Sequence, residues 1–179
     1  RMHAAARQDG VRLVIISAAR NFDHQKRIWE NKWHGRQILY GGIRATDLED
    51  PLERALELMR FSAMPGTSRH HWGTDVDLNS LDNSYFDSGE GLRIYQWLMA
   101  NAHEFGFCQP YTRHGNGRSG GYEEEKWHWS YMPLSSTFLN DYKALIDYSL
   151  ISDFDGSETA RKLKALERFV FDINTGCLA

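Results

Sequence analysis

Two short stretches of this chain, TDVDLN (residues 74–79) and KWHWSYM (126–132), alternate polar and apolar residues one by one. That is the period of a half-buried strand, because successive side chains of an extended chain point to opposite faces. In the first stretch Val76 and Leu78 face one way, and Asp75, Asp77 and Asn79 face the other. VRLVII (11–16), short, apolar and β-branched, reads as a further, buried strand. Helical patterns surround these runs. In RNFDHQKRIWENKW, Asn21 can cap a helix whose Phe22, Gln25, Trp29 and Trp33 share a face. DPLERALELMR has Asp50 as a cap and Pro51 at the first helical position. GLRIYQWLMANAHEF carries an apolar stripe of Ile94, Trp97, Leu98 and Phe105. SSTFLNDYKALIDYSL and SETARKLKALERFVFDI read as two amphipathic helices, spanning 135–174 together. Residues 34–49 and 113–121 are polar and glycine-containing and read as loops. Few strands interspersed with helices predict an α+β fold, with a small, mainly antiparallel sheet flanked by helices.

At 179 residues, one domain over 1–179 is expected, with length for a real core. The formal net charge is -3 and both signs are mixed along the chain, which argues against a nucleic-acid or anionic-membrane partner recruited by bulk charge. No stretch reaches the length of a membrane-spanning helix. The opening RMHAAARQDG reads as a cut end, so the lack of a leader there says nothing about secretion. Cys108 and Cys177 are the only cysteines, too few to define a framework; one bridge and two buried thiols are both open.

The chemistry concentrates in PGTSRHHWGTDVDLNS (65–80). His70 lies on a predicted turn, Gly73 lets the backbone bend, and Asp77 sits on the strand that follows. Such a turn can bring an imidazole and a carboxylate to one point. On these residues alone, a surface turn entering a solvated strand is the better account. EEEKWHWSYMP (123–133) alters the balance, because Glu125 and His128 stand at the start of another strand. Two histidines and an aspartate are the ligand set of a catalytic zinc with one position left for water, and a glutamate is the base such a water needs.

SRHHWGTDVD resembles the S-x-H-x-x-G-x-x-x-D motif of zinc D-alanyl-D-alanine carboxypeptidases and dipeptidases of the vancomycin-resistance type, and EKWH resembles their E-x-W-H motif. Both spacings match, in the family's chain order. The resemblance implies the fold that these enzymes share with peptidoglycan endopeptidases and the hedgehog signalling domain. It also implies one zinc per chain on His70, Asp77 and His128, with Glu125 as catalytic base. In SAARNFDHQ, Arg20 and Gln25 stand at the places of the family's arginine and glutamine, where Arg20 would hold a carboxylate or a developing oxyanion. Ser68 matches the motif serine that contacts substrate in relatives, and Trp72, beside His71 on the turn, is the further candidate for that role. The resemblance covers about residues 12–132.

Two departures stand out. Ala19 replaces the family's usual tyrosine, and Asp75 replaces a common alanine on the same face as Asp77. Asp75 is read as a partner orienting a histidine rather than as a ligand. His24, His34, His103 and His114 are read as solvated or packed. DFDG (153–156) lacks the rest of a calcium loop. The resemblance thus implies a monomeric zinc metallopeptidase that releases terminal D-alanine from peptidoglycan stem peptides in the periplasm or outside the cell. An endopeptidase, a dipeptidase and a non-catalytic zinc-binding module remain alternatives, and the presence of Glu125 favours an enzyme.

Overall fold

The computed structural model describes residues 1–178. Among them the sheet has four strands: β1 (Ile15–Ser17), β2 (Asp75–Leu78), β3 (Phe107–Cys108) and β4 (His128–Tyr131). Their order is β1-β2-β4-β3 and every pairing is antiparallel. The α+β expectation holds, and both alternating stretches are strands. They pair with each other at the centre of the sheet, with Asp75 opposite Ser130, Val76 opposite Trp129 and Asp77 opposite His128. This register places the polar side chains of both strands on one face and the apolar ones on the other.

The apolar face covers one core, in which Leu78 and Trp129 meet Val11, Leu13, Phe86, Ile94 and Leu98. Helix α1 (Met2–Gln8) and helix α4 (Gly89–Asn101) supply part of it. A second core gathers around Trp29, Trp33, Met59, Met64 and Phe169. It draws on α2 (Phe22–Trp33), α3 (Pro51–Leu58) and α5 (Met132–Leu145), and on the segment after α5. Asn21 caps α2 by accepting from the His24 N–H at 2.8 Å, and Asp50 caps α3 by accepting from the Leu52 N–H at 2.9 Å. No described helix is long and apolar enough to cross a membrane.

Two expectations are corrected, and one open alternative is decided. VRLVII is not a buried strand: only Ile15–Ser17 pair, at the sheet edge, and Ile15 is 64% exposed while Val11 and Leu13 go into the core. The predicted last helix is broken. Lys164 takes a φ of 52°, which ends the preceding turn, and the chain resumes as a π-helix over Leu166–Phe171 that buries Leu166, Phe169 and Val170. The apolar pattern was read correctly as burial, but not its helical period. Of the two open cysteine states, the bridge is the one formed: Cys108 on β3 joins Cys177, with 69 residues of sequence separation. It fastens the C-terminal segment to the edge of the sheet opposite β1. In the loop-entropy account a closed loop of that length contributes about 4 kcal/mol.

Candidate metal centre

His70 lies on a 3₁₀ turn (Arg69–Trp72) that follows Ser68 and ends at Gly73. Gly73 has a φ of 71°, the left-handed conformation that glycine adopts freely, and this is how the chain doubles back into β2. Asp77 then projects from the polar face of β2, and His128 projects beside it from β4. One ligand atom from each of His70, Asp77 and His128 falls within 4.8 Å of the others, and all three residues are buried. His70 Nε2 is 3.3 Å from Asp77 Oδ2, and His128 Nδ1 is 3.2 Å from Asp77 Oδ1.

The outer nitrogen of each imidazole is already committed. His70 Nδ1 donates to the Ala18 carbonyl at 2.8 Å. His128 Nε2 donates to Asp75 Oδ1 at 2.9 Å. The inner nitrogens are thereby turned toward Asp77, the orientation that ligating histidines adopt. Asp77 Oδ1 is buried and has no hydrogen-bond partner despite its nearness to His128. A carboxylate that faces an imidazole nitrogen with each oxygen and leaves one of them without a hydrogen bond fits a metal ion with nitrogen and oxygen ligands.

Asp75 is not a rival ligand. It is fully buried and its oxygens are taken by Arg69 Nε at 3.0 Å, Thr74 Oγ1 at 2.6 Å, Ser130 Oγ at 3.1 Å and His128 Nε2. Burial would raise its pKa, but Arg69 and His128 outweigh burial and hold the carboxyl well below the usual range. Asp77 is likewise held low against its burial, by the two histidines. Burial works against charge on His128, and the facing carboxylates of Asp75, Asp77 and Glu125 outweigh it, pushing the imidazole well above its ordinary value, so that a metal ion would displace a proton from its inner nitrogen.

Glu125 sits in the turn before β4. Its backbone N–H donates to the Tyr111 carbonyl at 2.9 Å, and its carbonyl accepts from Gln109 Nε2 at 3.1 Å. Its carboxylate Oε2 lies 3.3 Å from His128 Nδ1, beside the ligand cluster but outside it. Arg20 approaches from the other side, with Nη2 at 3.7 Å from Asp77 Oδ2. Arg20 Nη1 donates to Gln25 Oε1 at 3.2 Å, Gln25 Nε2 donates to the Ala63 carbonyl at 2.7 Å, and Arg20 Nε is buried without a partner. His71, next to His70, ties this side together. Its Nδ1 donates to the Arg20 carbonyl and its Nε2 accepts from the Gly66 N–H.

These groups open on one cleft of about 530 Å³, lined by Arg20, Gln25, Ser68, His70, Asp77, Glu125 and His128 together with Ile16, Phe61, Tyr122 and Trp127. Trp72 does not reach it. The Arg69 guanidinium stacks over its indole at 4.5 Å and Tyr142 packs against it, so Trp72 braces the arginine that holds Asp75. Lys32, which the motifs do not mark, does line the cleft. The available signal was its position, seven residues after Gln25 on one helix face.

The D-alanyl-D-alanine carboxypeptidase (VanY) family model matches residues 1–134. The chain belongs to that family. A D-alanyl-D-alanine carboxypeptidase of Enterococcus faecalis is 30% identical over 132 residues, which are 74% of this chain and 44% of the relative. The chain therefore spans less than half the length of that family member. Among solved structures, a vancomycin-resistance D,D-pentapeptidase VanY variant in complex with Zn(II) is 27% identical with a TM-score of 0.56, covering 76% of this chain and 70% of that one. VanYB in complex with D-alanine-D-alanine is 26% identical with a TM-score of 0.55, covering 80% and 72%. The fold and the family implied by the two motifs are thus both correct.

Proposed function

We propose that this chain is a zinc D-alanyl-D-alanine carboxypeptidase that releases the terminal D-alanine of peptidoglycan stem peptides. The observation that carries the reading is the buried cluster of His70, Asp77 and His128, with Glu125 beside it and an unpaired Asp77 oxygen inside it. His70 Nε2, an Asp77 oxygen and His128 Nδ1 would hold the ion. Bound there, zinc supplies a Lewis acid that makes a water acidic and polarises a carbonyl. The chain's own residues do the rest. Glu125 accepts the water proton as the water attacks the scissile carbonyl, and then returns a proton to the leaving amine. Arg20, with one buried N–H unpaired, steadies the negative charge on the carbonyl oxygen or the carboxylate of the departing residue. Gln25 holds Arg20 in place, and Ser68 lies in the same wall for substrate contact.

The substrate reading draws support from the D-alanine-D-alanine bound by the VanYB relative. The Cys108–Cys177 bridge suits an oxidising compartment, and with the substrate class it supports a periplasmic or secreted location. We place the whole of 1–179 in one monomeric domain, with the disulfide fastening the segment beyond the family-matched residues to the sheet. The test is hydrolysis of stem pentapeptides with mass spectrometry of the products. Wild type is expected to release single D-alanine residues. Glu125→Ala is expected to keep stoichiometric zinc while losing on the order of a hundred- to ten-thousand-fold in rate. Release of dipeptides or cleavage of cross-links would sink the carboxypeptidase assignment, and undiminished turnover in Glu125→Ala would remove Glu125 from the mechanism.

A further inference from the structure

Beyond the cluster and Arg20, the cleft wall carries a second cation that the mechanism above leaves unused. Lys32 stands in the last turn of α2, two turns beyond Gln25 and about 10 Å from it along the helix axis. The two side chains nevertheless end on consecutive residues: Gln25 Nε2 on the Ala63 carbonyl and Lys32 Nζ on Ser62 Oγ. Helical side chains lean toward the N-terminus of their helix, and the long lysine stem uses that lean to bring its ammonium back toward Gln25 and Arg20. Ser62 is its only hydrogen-bond partner among the described residues, and no described carboxylate forms an ion pair with it. An ammonium has three donors, so two remain for something in the cleft. Burial pulls this ammonium below the usual lysine value; Glu125 opposes that and Arg20 adds to it. Arg20 for its part has one carboxylate neighbour, Asp77, which the ion would claim. The wall therefore presents two cations, neither with a carboxylate of its own to neutralise it.

We propose that Lys32, held by Ser62, is a second anion-binding point of the cleft and reads a carboxylate of the substrate. This rests on the peptidase reading above. It assigns Lys32 to specificity and leaves the chemistry at the metal to Glu125 and Arg20. The carboxylate has two possible sources in a stem peptide: the free C-terminus, and the side-chain carboxylate of a diamino acid further in. Both offer the same chemistry to an ammonium and a hydroxyl.

Steady-state kinetics of the zinc-loaded protein on three peptides tests it. The first is a D-alanyl-D-alanine-terminated stem with lysine at its third residue, the second is its C-terminal amide, and the third is the stem with diaminopimelate in place of lysine. Lys32→Met is expected to raise KM by roughly ten- to a hundredfold with kcat little changed, the size of one lost charge-assisted hydrogen bond. Lys32→Arg is expected to recover most of the loss. Ser62→Ala, which only frees the ammonium, is expected to raise KM less, and provides the test if Lys32→Met melts lower than wild type. A loss that vanishes on the amide assigns the carboxylate to the C-terminus. A loss confined to the diaminopimelate peptide assigns it to the side chain. Unchanged KM for all three peptides in Lys32→Met and Ser62→Ala, with an active wild type, overturns the proposal alone. A wild type inert on all three overturns the peptidase reading beneath it.

Discussion

The two histidines of the cluster look alike in sequence and are held in opposite ways. His70 leans on a backbone carbonyl, that of Ala18, which no side-chain substitution can delete. His128 leans on Asp75, a buried carboxylate that is itself gripped by Arg69, Thr74 and Ser130. One partner is neutral and comes with the backbone. The other is charged and exists only because four side chains converge in a place without water. The difference teaches where this site is fragile. The turn side depends on Gly73 and the path of the chain, whereas the sheet side depends on a closed network of charge, in which removing one member leaves the others buried and unpaired.

That contrast can be broken first at the ligands. Both His70→Ala and His128→Ala are expected to lose stoichiometric zinc and hydrolysis, as read by metal analysis of the purified variants. Full zinc in either removes that residue from the ligand set. The metal-free proteins should differ, however. His128→Ala leaves Asp77 and Glu125 without the imidazole that lies between them, and should cost about 3–5 kcal/mol in chemical denaturation. His70→Ala frees a carbonyl and one side of Asp77, where Arg20 still faces the same oxygen, and should cost clearly less. Equal costs would mean that the network on the sheet side is no stronger than a single hydrogen bond.

A smaller effect is expected from Asp75→Asn, which keeps the shape but loses the charge. Zinc affinity should fall roughly ten- to a hundredfold, as is usual when the partner of a ligating histidine is altered. Competition with a chromophoric chelator measures this, and wild-type affinity would relieve Asp75 of any orienting role. The smallest expected effect lies in the pH dependence of the metal-free protein. The Asp75 carboxyl is held below its ordinary value of 3.8, so its contribution to stability is present above that pH and is lost as pH falls below it. Asp75→Asn should therefore flatten the acid limb of a stability–pH curve below about pH 4 relative to wild type. A limb of unchanged steepness would assign the acid sensitivity to other carboxylates.

What the sequence made legible follows the range of the interactions. Ser68, His70, Gly73 and Asp77 are fixed relative to one another by a single turn and strand, and Glu125 and His128 by another, so the match of their spacing to the family's two motifs carried them. Alternation marked both segments as strands, but their pairing with each other is a feature of the sheet order. The role of Asp75 was readable because a carboxylate two residues from Asp77 on a strand must share its face. Other features depend on contacts across long sequence separations. β3 is two residues long, too short for any period to mark it. The edge position of β1 is set by the strand order, which its apolar composition does not encode. Trp72 was placed in the cleft because it adjoins His71, but the 3₁₀ turn rotates it away and onto Tyr142. The disulfide joins two elements with nothing in common locally, so two cysteines in a sequence left its state open.

That disulfide also sets an order of events. Every residue assigned to the metal cluster, and the base beside it, is synthesised before Cys177, so the bridge can close only once all of them are part of the chain. Tyr122, part of the cleft lining, packs edge-on against Phe169 in the segment that the bridge fastens. What the oxidising step fastens is therefore a side wall, and reduction of the bridge would loosen that wall from its anchor while the ligands below it keep their own supports.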